Sequence, residues 1–157
     1  MGQKRRLPRP AGAPSARAVP PAAPAGYSGT PLARKLGFGP GATVHAAAMP
    51  PAVRAAIEAD APGIRWTPRA VTGLAAAHVF VTRRSDLERR LTELRGLLDP
   101  AGMVWVSWPK KSAGVATDIT EDTIREVALP MGFVDVKVCA VDATWSGLKL
   151  MIRKELR

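Results

Sequence analysis

Apolar positions change period along this chain, and the change orders it. Leu87, Leu91, Leu94 and Leu98 recur at the spacing that puts side chains on one helix face. Ser85, with Glu88 three residues later, has the pattern of a capping box at the start of that helix. Asp99-Pro100-Ala101-Gly102 then reads as a tight turn, and Met103-Val104-Trp105-Val106-Ser107-Trp108 as a buried strand that runs into the basic loop Pro109-Lys110-Lys111. Helix end, turn, strand and loop form the second half of a β-α-β unit.

The same reading extends in both directions. Thr30 and Pro31 suit the start of a short helix carrying Leu32 and Leu36, which Gly37 stops. Residues 42–48 read as a first strand, Pro50-Pro51 as the opening of a helix with Val53, Ala56 and Ile57, and residues 64–66 as a short second strand. Residues 77–82 are a nearly continuous apolar run, as expected for a strand covered on both faces. Residues 118–122 supply acids and caps for a helix that buries Ile124, Val127, Ala128 and Met131. Val134, Val136, Val138 and Ala140 alternate with Asp135, Lys137 and Cys139, predicting a strand with one wetter face. Asp142 to Gly147 is a hairpin loop, and Leu148, Leu150 and Ile152 alternate along the last strand. This order predicts an α/β, Rossmann-like fold. Its sheet is mostly parallel with a C-terminal antiparallel hairpin, and helices cover both faces.

Charge divides the chain. Residues 1–25 carry Lys4, Arg5, Arg6, Arg9 and Arg17, no acid, and prolines scattered throughout. They read as a disordered, basic, Pro/Ala-rich tail, leaving residues 26–157 as a single Rossmann-like domain. The net charge of +10 suits acidic partners, including nucleic acid through the tail. One cysteine, Cys139, and two histidines, His45 and His78, exclude an internal disulfide and argue against a zinc site. No apolar run is long enough to span a membrane, and no signal peptide is evident, so a reducing cytoplasm is the expected location. His78, His45 and Cys139 read as packing residues rather than as a base, a ligand or a nucleophile.

The run Leu-x-Pro-x-Gly-x-Val-x-Val-Ser at residues 98–107, followed by a helix and the late hairpin, resembles the carboxy-terminal half of the methyltransferase-type Rossmann-like fold. In that fold the last strand inserts antiparallel between its two predecessors, so the resemblance implies the same here. A second resemblance is to an uncharacterised bacterial family, domain of unknown function 3052. It is carried by residues 26–33 (GYSGTPLA), 106–111 (VSWPKK), 117–121 (TDITE) and 136–149 (VKVCAVDATWSGLK). It implies no known activity and places residues 1–25 outside the family domain.

Candidate chemistry starts from a lack. Nucleotide-type cofactors in such folds sit over a glycine-rich turn after the first strand, with an acid after the second to hold a ribose. Here Ala46-Ala47-Ala48-Met49-Pro50-Pro51 and Trp66-Thr67-Pro68-Arg69 offer neither glycine nor acid, so no cofactor is expected in the usual pose. The loops leaving later strands instead gather aromatic and cationic groups. Trp108, Lys110, Lys111, Asp142, Thr144 and Trp145 are the expected ligand-binding residues, with Tyr27 and Ser28 as a lid over them. No catalytic or metal-binding residue stands out: Ser-His-Asp spacing, a phosphate loop and paired carboxylates are all missing. The expected function is a non-catalytic domain that binds a small anionic ligand or a partner protein. The alternatives are a divergent methyltransferase-like enzyme and a nucleic-acid-binding regulator using the tail and the arginines at 83, 84, 89 and 90.

Overall fold

The computed structural model describes residues 29–157, so the basic tail and the expected lid residues Tyr27 and Ser28 lie outside the described residues. Six strands form one sheet: β1 (Thr43–Ala47), β2 (Arg65–Thr67), β3 (Leu74–Phe80), β4 (Leu98–Pro109), β5 (Phe133–Ala140) and β6 (Trp145–Ile152). Their order across the sheet is β2-β1-β3-β4-β6-β5. The β2-β1-β3-β4 pairs are parallel, whereas β6 is antiparallel to both of its neighbours. The last strand therefore inserts between its two predecessors, as the methyltransferase-type resemblance implied.

Helices cover both faces. On one face α1 (Leu32–Leu36) and α2 (Pro51–Asp60) pack Leu32, Leu36, Val53 and Ile57 against Val44, Phe80 and Trp105. On the other, α3 (Arg84–Leu97) and α4 (Glu121–Ala128) pack Leu87, Leu91, Leu94, Ile124 and Val127 against Val79, Val104, Val106 and Leu150. β4 serves both layers, because alternate residues of a strand point to opposite faces.

Three local expectations change. Ser85 does not cap α3: it lies inside the first turn, and the Asp118 carboxylate, more than thirty residues away, accepts the Arg84 amide at 2.7 Å. Glu88 pairs with the Arg84 guanidinium instead. The capping box is at α4, where Thr120 and Thr123 each accept the other's amide through their hydroxyls. Second, the tight turn at Asp99–Gly102 is an irregularity at the start of β4. Leu98 pairs with Leu74 and Met103 with Ala76, and Asp99 accepts the Ala101 amide.

Third, Val136 and Val138 of β5 are not inward. Val136 and Val138 are 48% and 47% exposed, because β5 is the sheet's edge and its ladder slips between Asp135 and Lys137. The extra residue at that slip reverses which face later side chains take. Asp135 pairs opposite Leu150, on the α4 face, whereas Lys137 pairs opposite Lys149, on the α1 face.

His78 lies within β3, fully buried, stacked on Phe80 and edge-on to Phe38. Its Nε2 is 2.7 Å from the Ser107 hydroxyl, and its Nδ1 has no partner. Burial holds its pKa down, to about 3, so the folded protein keeps the ring neutral. The unfolded chain takes up that proton below the ordinary value of 6.5, so stability falls as pH falls from there towards 3. Between pH 6 and 5, above the range where carboxylates titrate, urea unfolding is expected to lose about 1.4 kcal/mol per pH unit from this group. His78→Gln should flatten that slope.

Gly102 faces a tighter constraint. A Cβ there would lie 2.9 Å from both the Leu74 carbonyl oxygen and the Leu98 side chain. Gly102→Ala is expected to destabilise by about 1–3 kcal/mol in thermal unfolding, because the close neighbour is backbone.

Candidate functional site

Two clefts open at the rim formed by the carboxyl ends of the parallel strands, the edge where open α/β sheets bind ligands. The first lies over β1 and β2 and encloses about 450 Å³. Its floor is Ala46-Ala47-Ala48 at the end of β1, with Trp66-Thr67-Pro68 at the end of β2 beside it. Arg54 reaches it from α2 on one face of the sheet and Arg90 from α3 on the other. The lack of a glycine here does not close the turn: a cavity opens over it. Ala48 has φ 58°, the only positive φ among the described non-glycine residues. Alanine therefore keeps the left-handed turn that glycine would adopt more easily, a strain of the kind that recurs at ligand sites.

The polar groups of this cleft are cationic or neutral. The Arg54 guanidinium lies over the Trp66 ring, 4.9 Å from its centroid, and the Trp66 indole donates to Glu58 at 2.8 Å. Arg90 is held by Asp86 at 3.3 Å. His45 Nδ1 donates to the Thr67 carbonyl at 2.9 Å. The Thr67 hydroxyl is buried with no partner. No carboxylate lines the cavity.

The second cleft, about 470 Å³, lies between the end of β4 and the start of α4. It gathers Trp108, Lys110 and Lys111 with Thr117, Glu121 and Ser146. Of the residues expected to form one site, the structure brings these first three together. The hairpin is close by, since the Lys110 amide donates to the Thr144 carbonyl at 2.8 Å. Asp142 is occupied by the hairpin itself, accepting the Thr144 and Trp145 amides at 2.8 Å each.

Trp108 and Trp145 do not share a pocket. Pro109, not Trp108, pairs with Trp145, and the two indoles enter opposite cores. Trp145 packs edge-on against Phe80 on the α1 face, and Trp108 is buried on the α3 face. They cannot sandwich one flat ligand between them. Strand alternation carries the signal for this separation, since the register of β6 decides it.

Arg54 was not singled out and Arg90 was read only as part of a basic face on α3, because both join the cleft only through folding. The arginines expected to form a basic face on α3 are largely neutralised: Arg84 pairs with Glu88 and Glu126, and Arg89 and Arg90 pair with Asp86. Cys139 is half-buried, and desolvation raises its thiol pKa, which keeps it in the unreactive protonated form. Among the described residues no group of three or more His, Cys, Asp or Glu side chains is placed to hold a metal ion. No helix among them is long and apolar enough to cross a membrane.

The fold is that of the methyltransferase-like Rossmann class, and comparison with solved structures agrees. The chain is similar to a SAM-dependent methyltransferase from Aquifex aeolicus, with a TM-score of 0.59 and 12% identity over 76% of this chain and 87% of that one. It is also similar to a ribosomal protein L11 methylase from Lactobacillus delbrueckii subsp. bulgaricus, with a TM-score of 0.54 and 11% identity over 78% and 75%. No family model matches the chain and no curated protein matches it, so the resemblance to domain of unknown function 3052 stays a resemblance.

The first cleft occupies the position that the fold class gives to S-adenosylmethionine, but its residues do not fit that group. The lining offers a guanidinium for the carboxylate of that ligand but no acid for its sulfonium, its ammonium or its ribose hydroxyls. At the start of α2, Pro50 and Pro51 have no amide proton, and the Val53 and Arg54 amides are taken by the Pro50 carbonyl.

Asp142 has a structural task whatever binds nearby. Asp142→Ala is expected to cost about 1–2 kcal/mol in chemical denaturation, because two hairpin amides lose a charged acceptor.

Proposed function

We propose that the chain is a methyltransferase-like protein that binds a small anionic ligand with a flat ring in the cleft at the ends of β1 and β2. One observation carries this reading. Arg54 and Arg90 reach the same 450 Å³ cavity from opposite faces of the sheet, and no acid lines it. The Arg54 guanidinium, with Arg90 across the cavity beside its Asp86 partner, gives one partly enclosed space a cationic side that favours an anion, phosphate or carboxylate, which a guanidinium binds with paired hydrogen bonds. Trp66 supplies an aromatic face, its ring oriented by the bond to Glu58. Nucleoside phosphates combine both features.

The second reading is a divergent methyltransferase-like enzyme. The fold likeness favours it, as does a preformed cleft where that class binds its methyl donor. The composition of the cleft favours the first.

Calorimetry on the full chain separates the two, with adenosine monophosphate and S-adenosylmethionine as probes. Adenosine monophosphate is expected to bind, and Arg54→Ala to weaken it by about tenfold, the equivalent of about 1.4 kcal/mol, without lowering the melting temperature. Micromolar binding of S-adenosylmethionine with no response to the monophosphate would establish the second reading. An Arg54→Ala variant that binds the monophosphate as the parent does would remove the cleft from the proposal.

A further inference from the structure

The rim cleft has two sides, the turn that joins β1 to α2 and the end of β2, and they differ in what they offer an anion. The turn is poor in donors. Pro51, the first residue of α2, has no amide proton, and the Pro50 carbonyl accepts both the Val53 and the Arg54 amides at 3.1 Å. At these three positions the helix start has nothing left for a phosphate, although a helix start is where such folds usually hold one. Ala46, Ala47 and Ala48 also carry a Cβ where glycine would let a phosphate approach the backbone.

The end of β2 is the reverse. The Arg54 guanidinium lies over the Trp66 ring, 4.9 Å from its centroid, which sets its charge against the second strand rather than at the turn. Arg69, which is exposed, directly follows Pro68 of the lining. No ion pair among the described residues involves Arg54 or Arg69. In dinucleotide-binding sheets an acid near the end of the second strand accepts a ribose hydroxyl. Here the chain reads Trp66-Thr67-Pro68-Arg69 at that place. The Glu58 carboxylate does not line the cavity and accepts the Trp66 indole. A guanidinium has no acceptor, so Arg54 cannot take the proton of a free ribose hydroxyl. A phosphate on that hydroxyl would suit it.

We infer that the cleft takes a nucleotide phosphorylated on the ribose ring itself, at the 2′- or 3′-hydroxyl, in preference to the 5′-phosphate isomer. This rests on the reading of the cleft as a site for an anion with a flat ring, and adds where on that ligand the charge lies. In the orientation such sheets give a nucleotide, the 5′-phosphate meets the turn after the first strand and the ribose hydroxyls meet the end of the second. The first place has lost its donors and the second has gained a cation. Arg54 is the residue that sets the specificity.

The three isomers of adenosine monophosphate test this, because they have the same atoms and, at about pH 7.5, nearly the same charge. Only the position of the phosphate differs. Calorimetry on the full chain is expected to find the 2′ or the 3′ isomer bound about tenfold more tightly than the 5′ isomer. Arg54→Ala should bring the isomers to within about twofold of one another, with the melting temperature unchanged. Pro68→Asp, at an exposed position of the same lining, should also remove the preference, by setting a carboxylate beside the phosphate. Lys111→Gln, in the second cleft, should leave the preference as it is.

If the 5′ isomer binds as tightly as the others and Arg54→Ala still weakens it, the inference is overturned while the cleft remains an anion site. If the ring-phosphorylated isomers keep their advantage in the Arg54→Ala variant, or lose it equally in Lys111→Gln, the specificity does not come from Arg54 and the inference is overturned. If no isomer binds, the reading of the cleft fails and the inference fails with it.

Discussion

Trp105 sits at the centre of β4 with no exposed surface, and its indole nitrogen donates to the Leu36 carbonyl at 2.7 Å. A buried indole N–H left unpaired would cost about 1–3 kcal/mol, so this bond is a strong reason for α1 to lie where it does. The contact fixes the end of α1, where Gly37 turns with φ 80° and releases the chain towards β1. Because α1 is only five residues long, it has little helical stability of its own and depends on packing against the sheet. The same indole closes one side of the space over Gly147, where a Cβ would meet Trp105 and Val141. Position 147 is thereby kept small, and β6 can lie flat between β4 and β5. The placement of α1, and with it of Arg34 and Lys35, follows from how one tryptophan is satisfied.

Much of this was legible in the chain because periodicity is local. Leu87, Leu91 and Leu94 announce α3, and the alternation from Leu148 to Ile152 announces β6, since each pattern is produced by one element packing on one core. Features that depend on distant partners were not legible. Nothing near Ser85 shows that Asp118 would take the first amide of α3. Nor does the alternation of Val134, Val136 and Val138 show whether the strand is covered, because an edge strand can carry the same residues. The slip at Val136 is invisible to a reading that counts by twos.

The candidate site failed to be legible for a related reason. Glycine and acid positions served as the signature of a cofactor cradle, and their loss was read as loss of the cradle. In the structure Ala48 supplies a left-handed turn at the end of β1, and the polar side chains around it are cationic or neutral. The shape of the turn and the chemistry of its lining are therefore set by different residues. Trp108 and Trp145 illustrate the opposite error. They are close in the ladder, but one residue of register puts them on opposite faces, so proximity along the rim did not make a pocket.

Net charge becomes informative only once it is located. Arg84, Arg89, Arg90 and Arg125 are all matched by acids on neighbouring helical turns or strands, and hydrogen bonds to Asp135 and Glu121 hold the Arg125 guanidinium firmly protonated. The α3–α4 side of the molecule is therefore close to balanced where it is most densely charged. At Arg54 in the rim cleft, and at Lys137 and Lys149 on the hairpin, no ion pair among the described residues supplies such matching. An exposed lysine pair is easily relieved by one substitution, and an arginine over a tryptophan could equally have been paired with an acid. The unbalanced positive field at these two places lowers the stability of the isolated fold slightly and raises the attraction for anions. Of the two, the cleft can select a small ligand by shape, because walls from two helices and two strands surround it.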